Sequence, residues 1–290
     1  MIQPFIEQHI PENTEKGNAP ERVLTQICAT YPFLDEKERA DYLESVSNIE
    51  ETDPLRQIKK LVRLLNNPHA RVYKKTDVMT KEERSQIPAE MMPTGEVING
   101  VLCIRIPSFI GDTFKYLEEI FLLYKDSTVG LVIDLRENGG GYESGGRRFA
   151  EEYFIKPDAA RVGTNIKLAP EEGLNSFQVY AASRSSSPYD KPIVLLTSRK
   201  TFSSAERFVA TMKSGTDCVV IGTETQGGSA NPIESEVDID GETYVIKIPT
   251  WRFVLSGESE PIEETKIQPD VFYDGDDIVN FAVQYIYDQR

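Results

Sequence analysis

The chain has 290 residues, 39% hydrophobic and 27% charged, which suits one large globular domain or a core domain with a small companion. Its formal net charge of −15 excludes a nucleic acid or anionic membrane surface held by basic charge, because phosphate binding needs a Lys/Arg surplus. His9 and His69 are its only histidines, and Cys28, Cys103 and Cys218 lie far apart with no Cys-x-x-Cys, so multi-histidine metal sites, zinc knuckles and disulfide frameworks are excluded as well. No metal or cofactor is expected.

The first residues, Met-Ile-Gln-Pro-Phe-Ile-Glu-Gln, lack a basic n-region and an apolar h-region, so no signal peptide is read there. With the unpaired cysteines this points to the cytoplasm, a leader already removed being the alternative. Helical spacing predicts helices over 21–31, 35–48 and 54–65. The third is the clearest: Asp53 suits an N-cap, Pro54 the first helical position, and Leu55, Ile58, Leu61, Val62 and Leu65 form one stripe. Asn66-Asn67-Pro68 stops it, and His69 follows. A charged stretch from Lys74 to Pro88 leads to a predicted hairpin, Val97-Ile98 and Val101–Ile106 around Asn99-Gly100. A helix over 113–125 precedes a mostly apolar strand, Gly130–Leu135, which ends in a glycine loop and a helix near 144–155. Residues 157–190 read as a long, weakly patterned insertion.

Ile193–Thr197 is a further strand, followed by a helix near 204–214 and a strand over Cys218–Ile221. Near-continuous apolar strands alternating with helices predict parallel βαβ units buried on both faces. A second hairpin is expected around Asp240-Gly241, and a last helix over about 277–287. No stretch approaches the roughly 18 apolar residues of a membrane span. The organisation is an N-terminal helical region over 1–70, a connecting segment over 71–95, and an α/β core over 96–290.

Chemistry could reside in four places. Gly139-Gly140-Gly141 ends a buried strand and presents backbone N–H groups at a helix start. Residue 144 is Ser, so the Gly-x-Gly-x-x-Gly fingerprint fails, and no Gly-Lys-Ser/Thr exists. A nucleotide-binding oxidoreductase is thereby disfavoured. A tight turn or an oxyanion hole remains. Thr201-Phe202-Ser203-Ser204-Ala205-Glu206 opens a helix, and Ser203 with Glu206 reads as a capping box. A serine at a helix N-terminus also faces unpaired N–H groups that can stabilise an oxyanion. Gly-x-Ser-x-Gly is absent, which disfavours an α/β-hydrolase. His69 after a helix end reads by itself as a cap or surface residue, and Glu263, Glu264 and Asp270 as solvated acids.

Taken together, Gly-Leu-Val-Ile-Asp-Leu-Arg-Glu-Asn-Gly-Gly-Gly, then Val-Leu-Leu-Thr-x-x-x-Thr-Phe-Ser-Ser-Ala-Glu, Ile-Gly-Thr-Glu-Thr-Gln-Gly-Gly, and Glu-x-x-x-Ile-x-Pro-Asp resemble the C-terminal processing (tail-specific) peptidase family over about residues 55–275. The resemblance implies an α/β fold with a ClpP/crotonase-like core over 96–290. The family pairs its serine with a lysine just after the Gly-rich segment, but Gly228 stands there. His69 and Glu263 are similar to the tricorn-like branch, whose base is a histidine supported by a glutamate. The stretch from His69 to Val101 is too short for an inserted PDZ domain.

The implied function is a serine peptidase acting on peptides or protein tails. Ser203 is the nucleophile, His69 the base and Glu263 the orienting acid, with Glu264 the near alternative. The backbone N–H groups of Gly140 (or Gly139) and Ser204 hold the oxyanion, while Arg136 and Asn138 shape the loop. The expected partner is a peptide or protein substrate. The rival reading is a family member that has lost catalysis, as the retinoid-binding relatives did, and binds an apolar ligand or peptide in the same cleft.

Overall fold

A computed structural model describes residues 18–77, 88–157, 161–169, 174–228 and 230–289. Expectations for residues 1–17, including His9 and the leader, and for much of the charged stretch after Lys74, lie outside these. The chain divides into two compact units: Met1–Thr80, Asn165–Gln178 and Ala230–Phe253 form the first, and Lys81–Thr164, Val179–Ser229 and Val254–Arg290 the second. No helix among the described residues is long and apolar enough to cross a membrane.

In the first unit, α1 (Ala19–Thr30), α2 (Glu36–Ser47) and α3 (Pro54–Arg63) each start at a capping side chain: Asn18, Asp35 and Asp53. Strand β1 (Arg71–Lys74) follows α3 and pairs antiparallel with β10 (Glu242–Ile248), which pairs with β9 (Ile233–Ile239). Asp240 and Gly241 both take positive φ, 51° and 82°, which the tight β9–β10 turn demands. The core joins Ile27, Tyr31, Ile58 and Leu61 of the helical region to Val237, Ile239, Ile246 and Ile248 of the hairpin.

The second unit is built on a six-stranded sheet of order β12-β8-β7-β4-β3-β2. Strands β3 (Val101–Arg105), β4 (Leu131–Asp134), β7 (Ile193–Thr197), β8 (Val219–Gly222) and β12 (Val271–Phe272) run parallel, and β2 (Thr94–Ile98) closes one edge antiparallel to β3. One face, with Val101, Cys103, Val132, Val194, Leu196 and Ile221, packs on α8 (Ile278–Asp288). The residues between them, Leu102, Ile104, Leu131, Ile133 and Leu195, point to the other face and are fully buried. Helices α4 (Thr113–Tyr124), α5 (Glu143–Tyr153) and α6 (Ser204–Gly215) connect the strands. Phe121 lies among Phe149, Tyr153, Phe154 and Tyr189 with ring centroids 5.1–5.6 Å away.

Residues 157–190 differ from expectation. They contain two strands, β5 (Gly163–Ala169) and β6 (Leu174–Tyr180), which share a sheet with β11 (Arg252–Leu255). Phe177 and Val179 are 67% and 62% exposed while Tyr180 is buried, so apolar residues on the open side conceal the alternation that marks a strand.

Candidate active site

Strands β4 and β7 are parallel neighbours, with Asp134 beside Leu196. Their C-terminal ends therefore deliver two loops to one place, the usual position of a site in a parallel sheet. The loop after β4 carries Gly139–Gly141, and the loop after β7 carries Ser203. They are stitched together: Thr201 Oγ1 donates to Leu135 O (2.9 Å), Phe202 N–H to Asn138 O (3.0 Å), and Ser198 Oγ to Arg136 O (2.5 Å).

Ser203 sits at φ 60°, ψ −119°, immediately before α6. A non-glycine residue there is strained, at a cost on the order of 1–3 kcal/mol, and such residues gather at functional sites. Surrounding bonds hold it. Its N–H faces two acceptors, Gly228 O at 3.1 Å and Glu206 Oε2 at 3.0 Å. The next N–H, that of Ser204, is the first of α6 and has no acceptor among the described residues.

Gly140 lies against this turn. A Cβ there would stand 2.8 Å from Ser203 Cβ, 2.9 Å from Phe202 O and 3.2 Å from Ser204 N, and φ is +100°. Only glycine fits. Its N–H is engaged, donating to Asn138 Oδ1 at 2.8 Å, while the N–H groups of Gly139 and Gly141 have no acceptor among the described residues. Asn138 is fully buried and also donates through Nδ2 to Ile106 O at 3.0 Å. Arg136 folds back onto Asp134 in a two-pronged pair of 2.9 and 2.7 Å.

Glu206 has a larger part than a capping box suggests. Its carboxylate is fully buried and also accepts from Thr225 Oγ1 (2.5 Å) and Gly227 N–H (3.0 Å). Burial pushes its pKa up to about 8, against those three donors, which favour the charged form; the nearby Glu263 charge pushes the same way as burial. Glu263 lies on a one-turn helix, α7 (Ile262–Thr265), whose backbone abuts Gly227. Glu263 is half-buried and Glu264 exposed.

His69 belongs to the first unit, in the turn between α3 and β1. Asn66 takes φ 45°, ending the helix, and Asn67 Oδ1 accepts the His69 N–H at 3.0 Å. Burial, with the Arg71 and Lys247 charges, lowers the His69 pKa to about 4, which leaves the imidazole neutral at ordinary pH. Lys213, a conceivable alternative base, starts from Ser203's own helix but ten residues on, about 15 Å along the axis. Its amine pairs with Asp270 at 2.6 Å. Gly228, at the position where the family resemblance implies a lysine, accepts the Ser203 N–H through its carbonyl. Among the described residues, no group of His, Cys, Asp and Glu could hold a metal ion.

The parts that sequence reasoning missed are Glu206 as a three-way acceptor and the Thr201 and Thr225 hydroxyls. Their local sequence carries no signal for this: Thr225 stands in the polar stretch Gly-Thr-Glu-Thr-Gln-Gly-Gly, Thr201 follows Ser-Arg-Lys, and Ser203-x-x-Glu206 satisfies a helix cap equally well.

Residues 100–273 match Peptidase family S41. A chloroplastic C-terminal processing peptidase from Tetradesmus obliquus is 25% identical over 192 residues, 66% of this chain and 39% of that protein. The chain thus spans about two-fifths of the length of this curated relative. A crystal structure of a candidate peptidase from Parabacteroides merdae has a TM-score of 0.66 at 18% identity, covering 95% of this chain and 97% of that one. A lipoprotein from Streptococcus agalactiae has a TM-score of 0.62 at 14% identity, covering 97% and 98%. Likeness at these identities concerns the fold, a mixed α/β architecture around a parallel sheet.

Proposed function

The chain belongs to peptidase family S41, and from that premise we propose that it is a serine peptidase cleaving peptides or protein C-terminal tails through Ser203, His69 and Glu263. One observation carries the proposal: Ser203 is held at positive φ at the start of α6 with Gly140 pressed against it. A serine hydroxyl is a weak nucleophile and needs a base, which needs an orienting acid. Ser203 Oγ attacks the scissile carbonyl carbon while His69 takes its proton. The carbonyl oxygen, now negative, is held by the Ser204 N–H and by a glycine-loop N–H, that of Gly140 or Gly139. His69 passes the proton to the departing amine as the C–N bond breaks. Water then attacks the acyl-serine with His69 again as base, releasing the acid and restoring Ser203. Glu263 stabilises the imidazolium at each stage. Arg136 and Asn138 set the loop and make no substrate contact.

The bond from Gly140 N–H to Asn138 favours the rival reading, a cleft that binds without cleaving, because it turns one oxyanion donor inward. A fluorophosphonate probe separates the two. The peptidase is labelled at Ser203, and Ser203→Ala abolishes the label. Folded protein that stays unlabelled from pH 6 to 9 contradicts the peptidase reading and leaves the binding one.

A further inference from the structure

Arg207 is 3% exposed and stands in the first turn of α6, where its N–H donates to Ser203 O at 3.1 Å. The position is unfavourable on two counts. A cation there adds to the positive end of the helix dipole, and a charge taken out of water needs close partners. The carboxylate paired with it, Glu143 Oε2, is 4.0 Å from its Nε. The Arg207 guanidinium also lies 4.7 Å from the centre of the Tyr180 ring, and that of Arg147 lies 5.0 Å from the same ring. The Tyr180 hydroxyl donates to Glu143 Oε1 at 2.6 Å. Burial and the Glu143 charge push the Tyr180 pKa upward, so the hydroxyl keeps its proton and remains a donor. Two cations, a carboxylate and a phenol are thus gathered within the second unit, one helical turn beyond Ser203.

The partner, Glu143, is the first residue of α5 and stands two residues past the glycine loop. A run of three glycines is conformationally permissive, so its geometry comes from its anchors. The upstream end is fastened to the serine turn, where Asn138 O accepts the Phe202 N–H. The middle is fastened elsewhere: Gly140 O accepts from Phe109 N–H at 2.9 Å and Ser108 Oγ at 3.0 Å, both on the segment after β3. At the downstream end, Tyr142 occupies the N-cap position of α5 and its side chain makes no capping hydrogen bond. Glu143, reaching Arg207 and Tyr180, ties that end to α6. We propose that Arg207 is a positioning residue: through Glu143 and Tyr180 it holds the first turn of α5 to the first turn of α6, and so keeps the glycine-loop N–H groups aligned with Ser203. The inference rests on the peptidase reading and adds to it a residue that acts through others. Misaligned oxyanion donors weaken the transition state and leave substrate binding largely intact, so the effect belongs to kcat.

Arg207→Met removes the charge and keeps much of the side-chain length. In folded protein, with Tm recorded, it is expected to lower kcat on a quenched-fluorescent peptide roughly thirtyfold, with KM changed less than about threefold. The rate at which a fluorophosphonate labels Ser203 should fall in parallel. Arg207→Lys keeps a cation over the ring and should recover most of the loss. Glu143→Gln should resemble Arg207→Met, and the double variant should lose no more than the worse single one, because both break the same link. Losses that add overturn the link. If Arg207→Met does not fold, Tyr180→Phe decides, since it removes only a hydroxyl: a fall in kcat of about threefold supports the clamp, and no fall overturns it. Folded Arg207→Met with a lower Tm but unchanged kcat and labelling rate overturns the positioning role and leaves the peptidase standing. A change confined to KM does the same. Wild-type protein that is neither labelled nor active overturns the peptidase reading, and the positioning role with it.

Discussion

Glu206 ties the Ser203 backbone to a segment distant in sequence, through the Thr225 hydroxyl and the Gly227 N–H. Glu206→Ala would leave the buried Thr225 hydroxyl and Gly227 N–H unmet and the Ser203 N–H with Gly228 O alone, and a loss of roughly 2–5 kcal/mol is expected in urea denaturation. The raised pKa has a defined sign. A carboxyl at about 8 in the folded chain, against 4.5 unperturbed, contributes stability that is fully present below about pH 4.5 and is lost as pH rises through 8. Glu206→Gln should flatten that slope. His69 behaves oppositely. With its pKa lowered to about 4 from 6.5, its contribution is present above pH 6.5 and lost as pH falls through 4. In its proposed role as base, it should put the acid limb of kcat/KM near pH 4, and a limb at 6.5 would contradict the burial seen here. Gly140→Ala drives a methyl into Ser203 and Phe202 O, so kcat/KM should drop by roughly a hundredfold or more.

At the scale of elements, the site follows from strand order. Strands β4 and β7 lie side by side in the sheet because the strands that separate them along the chain, β5 and β6, belong to a different sheet. Two loops more than sixty residues apart in sequence are thereby superposed on one edge. The helix caps are local and separable from this. Asp53 Oδ1 accepts the Arg56 N–H at 2.8 Å, and Asp53→Ala should cost about 1 kcal/mol in thermal or urea unfolding. Asn99 and Gly100, at φ 47° and 78°, fix the register of β2 on β3 in the same local way.

For the whole molecule, the first unit is discontinuous in sequence: its helices come from the first 80 residues, and its hairpin from residues after 230. Val237, Ile239, Ile246 and Ile248 are buried against Val23, Ile27, Ile58 and Leu61. A chain lacking residues 1–80 should therefore expose that hairpin face, bind the dye ANS and aggregate in size-exclusion chromatography. A monomeric, dye-silent product would show that the hairpin finds its core elsewhere.

The sequence by itself determined what depends on neighbours along the chain. Helix caps, two tight turns signalled by Asn-Gly and Asp-Gly, the parallel character of the apolar strands, and the family resemblance of the Gly139–Gly141 and Ser203 segments were all legible, because each is set within a few residues. The strands within 157–190 were not, since exposed Phe177 and Val179 break the expected alternation. Nor was the role of Glu206, because Ser-x-x-Glu satisfies a helix cap equally well. Only the tertiary structure, by burying that carboxylate beneath Thr225 and Gly227, made it a structural anchor. The same holds for the backbone of Ser203. Nothing in Thr-Phe-Ser-Ser announces a positive φ, and it persists because Glu206, three residues on, and Gly228 and the glycine loop, distant in sequence, over-determine it.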